Sequence, residues 1–260
     1  MPGQLLHDEP ADGVLRLTIS NPAKRNALDH AILDGIAAAL RETDARCVIL
    51  TGADGMFSSG YDIGEIPEDV FAQEAEKLVA HPFTSAIDAI DAFDRPVVAA
   101  CGGHTIGGGL ELALSCDLRV AAEHVKLGMP PAKLGLVYSH TGLRRFIDTI
   151  GVPRTRELFL LGRNVDAWVA LGWGLVNRVV DGEEVQETAL DLAVELASNA
   201  PLSVTGNKQV IRALLEAKWA LDPALERELI ALRKACFASA DFEEGVKAFA
   251  EKRPPRWQGS

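Results

Sequence analysis

Apolar and polar residues alternate most cleanly at 14–20, VLRLTIS, where Leu15, Leu17 and Ile19 are interleaved with Arg16, Thr18 and Ser20. A period of two predicts a half-buried strand. CVILTG (47–52) and PVVAAC (96–101) are short, continuous apolar runs and read as buried strands, as does DLRVAA (117–122). GLVNRVV (174–180) reads as the last strand. Between these runs the period changes. Leu28, Ile32, Leu33, Ile36 and Leu40 recur with helical spacing, and FTSAIDAIDAF (83–93) repeats the pattern with Phe83, Ile87 and Ile90. Short strands alternating with helices argue an α/β fold with largely parallel pairing.

Past residue 183 the pattern becomes helical throughout. VQETALDLAVELASNA is amphipathic and stops at Pro201, and LSVTGNKQVIRALLEA follows it. PALERELIALRKACF carries Leu225, Leu229, Leu232 and Cys236 on one stripe, and DFEEGVKAFAEKR starts after an Asp241 cap. The expected organisation is a core over 1–183 and a helical region over 184–260.

Composition narrows the function classes. The 260 residues carry a formal net charge of −11, which disfavours nucleic acid or an anionic membrane as partner. A small polyanion needs only a few local cations and stays open. Cys47, Cys101, Cys116 and Cys236 are scattered, with no CxxC pair, so no zinc site or redox motif is indicated. The opening MPGQLLHDEPADG has no basic or apolar leader signature, and no apolar run approaches membrane-span length. The expectation is a cytoplasmic protein without metal.

The segment GGHTIGGGLELALSCD (102–117) carries the chemistry. A strand leads into it and an apolar helical pattern leads out, so Gly107, Gly108 and Gly109 lie at a strand-to-helix junction. The first N–H groups of a helix have no internal partner and sit at the positive end of its dipole. Absent side chains let a ligand reach them. No Lys follows the glycines as a phosphate loop requires, and Glu111 would repel a phosphate. Charge that develops during a reaction fits better, with Glu111 moving a proton beside the amides. A tight turn with Glu111 complementing the helix dipole is the alternative.

FSSGYDIGEI followed by GGHTIGGGLELALSCDLRVAA resembles the crotonase superfamily, the enoyl-CoA hydratase/isomerase family. NPAKRNALD, RPVVAAC, ALGWGLVNRVV and FEEGVKAFAEKRPPRW extend the likeness over nearly the whole chain. The resemblance implies a spiral of ββα units with a C-terminal helical trimerisation region. It also implies an acyl-CoA thioester substrate, a homotrimer or hexamer, and no cofactor beyond the CoA moiety. Two backbone N–H groups would hold a thioester enolate, at Tyr61 and Gly108 by position. An enolate oxygen is charged whereas the ground-state carbonyl is only dipolar, so fixed donors favour the transition state. Lys24 and Arg25 match the early CoA-contacting turn, and Phe249 and Lys252 the C-terminal positions that reach CoA.

One position departs from the family pattern. Family hydratases use two glutamates; Glu111 matches the first, but Pro131 occupies the place of the second. Tyr138, in GLVYSHTG, is then the nearby group with chemistry, and the segment looks most like the methylmalonyl-CoA decarboxylase branch. That branch has a histidine where this chain has Tyr61, and Pro-Tyr where it has Val137-Tyr138. Decarboxylation of a malonyl-type thioester yields the same enolate and needs no general base, with Tyr138 orienting the departing carboxylate. Hydration or isomerisation of an enoyl-CoA is the alternative reaction. Tyr138 as a core aromatic is also open, and His104, His140 and Asp62 have weaker claims. A hydrolase built on Ser58, Ser59 or Ser139-His140 lacks a GxSxG elbow, and a non-catalytic acyl-CoA binder is a further rival.

Overall fold

The alternating segment forms β2 (Val14–Ser20), with Val14, Leu17 and Ile19 buried. It pairs antiparallel with β1 (Gln4–Ala11), which the apolar pattern does not announce. The chain reverses through Asp12-Gly13, with Gly13 in the left-handed region at φ 70°. The computed structural model describes residues 2–61, 82–131 and 138–218, with positions 253, 256 and 258.

The expected buried runs are β3 (Cys47–Gly52), β5 (Val97–Cys101) and β7 (Leu118–Ala122). The segment read as the last strand is strand only at β10 (Arg178–Val180), because Gly174 is the left-handed C-cap of the preceding helix, at φ 86°. These strands form one sheet in the order β1-β2-β3-β5-β7-β10, parallel from β2 onward. A second sheet joins β4 (Met56–Ser58), β6 (His104–Ile106), β8 (Lys126–Gly128) and β9 (Asn164–Asp166), in that order. Its first two pairings are parallel and the last is antiparallel.

The two strand orders follow the chain in step. β3 then β4, β5 then β6, and β7 then β8 each place one strand in the large sheet and the next in the small one. Helices complete the turns: α1 (His30–Glu42), α2 (Thr84–Ala92), α3 (Gly108–Ser115) and α4 (His140–Leu161). This is an α/β spiral of ββα units, the expected fold. α1 starts where the Asp29 carboxylate accepts the Ile32 N–H at 3.0 Å. α4 is interrupted at Gly151, whose dihedrals are not helical, two residues before Pro153.

All eight residues of α3 are buried, because this helix lies inside the spiral. Leu110, Leu112 and Ala113 join the core with Val48, Leu50, Val98 and Phe146. After α5 (Ala167–Trp173) come α6 (Val185–Ser198) and α7 (Pro201–Glu216). α6 covers the large sheet with Val185, Ala189, Leu192 and Ala193. α7 is tied down by Lys208, whose Nζ donates to Asp117 at 2.7 Å and to the Arg95 carbonyl at 2.9 Å. The two helices expected beyond these lie outside the described residues. Among the described residues, no helix is long and apolar enough to cross a membrane.

Arg119, on β7, is 8 % exposed. Its guanidinium donates to the Cys116 carbonyl at 2.6 Å, just past the end of α3, and to the Leu175 carbonyl at 2.7 Å. A buried cation therefore binds the negative end of α3 to the segment before β10. Arg119→Met strands both carbonyls and should cost about 2 kcal/mol. Thermal unfolding should show it as a Tm lower by about 4–8 °C; an unchanged Tm would remove Arg119 from this role.

Candidate active site

The strand-to-helix junction is built as the sequence suggests. β6 ends at Ile106, Gly107 adopts φ 58° and ψ −128°, and α3 begins at Gly108. Those dihedrals are closed to residues with a Cβ. Gly107 donates its N–H to the Gly128 carbonyl at 2.8 Å. Its own carbonyl accepts from Leu110 at 2.9 Å and Glu111 at 3.2 Å. The Gly108 and Gly109 N–H groups have no acceptor among the described residues.

Tyr61 forms a parallel bridge with Leu28, and the Leu28 N–H bonds the Gly60 carbonyl at 2.8 Å. In a parallel bridge the flanking residues supply the bonds, so the Tyr61 N–H faces the other way. Gly60, at φ 97°, brings this strand against the glycine segment: a Cβ there would lie 3.2 Å from the Gly108 nitrogen. The Tyr61 ring covers Gly108, so a Cβ on Gly108 would meet Tyr61 Cε1 at 2.8 Å. The amides of Tyr61 and Gly108 are thus neighbours, and neither has an acceptor among the described residues.

Glu111 lies one turn into α3 and is 4 % exposed. Its Oε2 accepts a short hydrogen bond from the Tyr138 hydroxyl. The Tyr138 hydroxyl also meets that of Tyr61 at 3.4 Å. Edge-on contacts with Phe159 at 5.4 Å and Phe83 at 4.7 Å hold the Tyr138 and Tyr61 rings respectively. The hydroxyl partner of Tyr138 is therefore a carboxylate, not backbone.

The first turn of α4 closes the site. A Cβ on Gly142 would lie 2.6 Å from Tyr138 Cε1 and 2.8 Å from Glu111 Oε1. Only glycine lets α4 approach this closely. One turn on, the Arg145 guanidinium holds the Asp91 carboxylate through two bonds, at 3.0 and 2.7 Å. Burial raises the Glu111 pKa, while the Tyr138 hydrogen bond and the Arg145 charge oppose the rise and Asp91 adds to it. Burial, with the negative Glu111 nearby, also raises the pKa of both phenols, so both keep their protons.

Pro131 is buried and carries no titratable group. Lys24 is half-buried and Arg25 exposed, on the turn that docks against the strand leading to Tyr61. The Arg25 carbonyl accepts the Ser59 N–H at 3.1 Å, and the Lys24 carbonyl accepts the Ser59 hydroxyl at 3.1 Å. Asn26 fixes this turn: its amide donates to the Ala53 and Met56 carbonyls, both at 2.7 Å, and its side-chain oxygen accepts from the Asn21 N–H at 2.8 Å. Arg25 and Asn26 are both left-handed, at φ 53° and 54°.

The remaining candidates divide. Ser58 Oγ accepts the Gly60 N–H and Ser139 Oγ caps α4 by accepting the Gly142 N–H, each at 3.1 Å. Neither is set up as a nucleophile. His104 is exposed, its Nδ1 accepting the Lys126 N–H at 3.0 Å on the small sheet. His140 opens α4. Asp62, Val137, Phe249 and Lys252 lie outside the described residues. Sequence reasoning missed Asn26, Gly142 and Arg145 with its partner Asp91; a buried asparagine in a polar turn is a signal, but nothing in spacing joins residues 91 and 145.

Comparisons with known proteins identify the family. The family model for enoyl-CoA hydratase/isomerase matches residues 9–260. The 2,3-dehydroadipyl-CoA hydratase of Escherichia coli is 33 % identical over 250 residues, 95 % of each chain. The carnitinyl-CoA dehydratase of Salmonella typhi is 34 % identical over 257 residues, again 95 % of each. The crystal structure of an enoyl-CoA hydratase from Bacillus anthracis superposes with a TM-score of 0.89 at 29 % identity, covering 99 % of this chain and 100 % of that one. These relatives are named as hydratases and a dehydratase, and they lend no specific support to the decarboxylase branch. From the spiral of ββα units, the two neighbouring amides and the family match over almost its full length, the chain belongs to the enoyl-CoA hydratase/isomerase family.

Proposed function

We propose that the chain adds water reversibly across the α,β double bond of an enoyl-CoA thioester, with Glu111 as its single working carboxylate. The observation that carries this reading is the buried Glu111, bonded to Tyr138 and one helical turn from the Gly108 amide, which has no acceptor among the described residues. The names of the relatives support the same reaction class. The amides of Tyr61 and Gly108 hold the thioester oxygen. Glu111 takes a proton from water, the hydroxide oxygen bonds Cβ, and the π electrons move onto the thioester oxygen. The enolate collapses when a proton returns to Cα, leaving a 3-hydroxyacyl thioester and an ionised Glu111. The carriers of negative charge are thus the carboxylate and an oxygen facing two fixed N–H donors. No cofactor enters beyond the CoA carried by the substrate. Lys24 and Arg25 are the proposed contacts to CoA phosphates, and Phe249 and Lys252 the proposed C-terminal contacts to CoA.

A second reading is favoured by Pro131, which is buried and protonless where family hydratases place their second glutamate. Loss of CO2 from a malonyl-type thioester needs only the amides and a group such as Tyr138 to orient the carboxylate. Incubation with crotonyl-, 3-enoyl-, malonyl- and methylmalonyl-CoA, with products read by mass, separates the two. Gain of water supports the first reading, and loss of CO2 without any hydration would replace it. Under the first reading, Glu111→Gln should lower hydration by at least about 100-fold in a protein that still folds. Retained hydration would remove Glu111 from the mechanism.

The ionised Glu111 is the form that accepts a proton. Because burial raises its pKa, the acidic limb of kcat/KM should lie above the ordinary carboxylate range, with activity rising as pH increases through it. The Tyr138 hydroxyl favours the ionised carboxylate. Tyr138→Phe removes that donor, with Arg145 and Asp91 still facing Glu111, so the limb should move to still higher pH. A limb that stays in place or moves down would refute this role for Tyr138.

A further inference from the structure

Resting on the enolate reading above, we infer that the Tyr61 phenol, not only its amide, takes part in the reaction, as the substrate-facing end of a proton relay Tyr61–Tyr138–Glu111. The hydrogen-bond directions set the wiring. A phenol has one proton to donate. The Tyr138 proton is committed to Glu111 Oε2, so the 3.4 Å contact between the phenols runs from the Tyr61 O–H to the Tyr138 oxygen. The Tyr61 oxygen is left with lone pairs and can accept. The chain leads from Glu111, at 4 % exposure, out to a half-buried ring. That ring lies over Gly108, where a Cβ would come within 2.8 Å of Cε1, and so beside the amides that hold the thioester.

The relay gives one carboxylate access to both carbons of the reacting bond. In the dehydration direction a proton leaves Cα for the Tyr61 oxygen. The Tyr61 proton passes to Tyr138, and the Tyr138 proton to Glu111 Oε2. The C–H electron pair moves into the bond between Cα and the carbonyl carbon, and the carbonyl π pair onto the thioester oxygen. Both phenols end as they began, and Glu111 is protonated. The β-hydroxyl then leaves with the Glu111 proton as water, its C–O pair going with oxygen while the enolate pair forms the double bond. Hydration is the reverse. The second acid that Pro131 cannot supply is replaced by two neutral hydroxyls, which add no charge to a buried site.

The test uses the full-length protein and α-proton exchange of butyryl-CoA in D2O, a readout of enolate formation alone. Tyr61→Phe keeps the amide and the ring and removes only the hydroxyl. It should lower the exchange rate at saturation by about 100-fold while butyryl-CoA affinity stays within about twofold. Tyr138→Phe interrupts the same path and should cause a similar loss, and the double variant should be no slower than the slower single one. Saturated exchange by Tyr61→Phe close to the wild-type rate, or losses that multiply in the double variant, would overturn the relay. No exchange by the wild-type protein would instead overturn the enolate reading itself, and the relay with it.

Discussion

Everything at this site depends on keeping a carboxylate in the core without letting it become inert. Glu111 sits on a helix whose eight residues are all buried. An ionised carboxylate there has lost most of its hydration, which would cost several kcal/mol if nothing replaced it. Among the described residues the replacement is sparse: one phenolic hydrogen bond on Oε2 and the more distant charge of Arg145. Arg145 is itself largely neutralised by its two bonds to Asp91. Burial therefore raises the pKa of Glu111 against the opposing pull of that hydrogen bond and that cation, a direction that suits the proposed role of taking and returning a proton. A full salt bridge to Glu111 would fix it as an anion, and an apolar shell would fix it as an acid.

The spiral makes that arrangement possible. Each turn adds a strand to both sheets, so successive turns lie side by side in the same order as the sequence. Tyr61 follows the small-sheet strand of one turn, Gly108 follows that of the next, and Pro131 that of the third. Stacking therefore aligns three strand exits at one end of the small sheet. Glycine at 60 and 108 lets the first two exits touch, and glycine at 142 lets α4 lie on Glu111. Positioning is done by backbone contact, which is stiffer than side-chain packing and suits the proposed role of these amides as fixed donors.

How much of this the sequence shows depends on the length of each signal. The large-sheet strands at 47–52 and 96–101 are legible because four or five apolar residues run together. β1 is not, because its residues are mostly exposed and it is held by pairing with β2 rather than by burial. The small-sheet strands are three residues each, too short to express a period. α4 escapes notice because Gly151 and Pro153 break its pattern midway. Gly108 and Glu111 are legible from local chemistry, since a glycine-rich junction and an acid one turn later form a continuous motif. The bond between Glu111 and Tyr138 spans 27 residues and the contact between the phenols spans 77, so only folding brings them together.

Under the proposed reading, the turn that carries Lys24 and Arg25 keeps the two ends of a CoA thioester in register. Two adjacent non-glycine residues in the left-handed region, Arg25 and Asn26, make a strained turn that persists only where surrounding bonds over-determine it. Those bonds come from Asn26 to the Ala53 carbonyl after β3 and the Met56 carbonyl at the start of β4, and from Ser59 to the backbone of Lys24 and Arg25. Ser59 is two residues from Tyr61. The proposed phosphate contact and the proposed enolate contact are therefore parts of one hydrogen-bonded unit, not two loops that settle independently. Binding energy gained at the far end of a CoA thioester can then act on the geometry at the reacting carbonyl, where a displacement of about 1 Å is enough to cost a large factor in rate. In a protein of net charge −11, the proposed phosphate contacts need only a few local cations, and this turn places Lys24 and Arg25 beside the segment that leads to Tyr61.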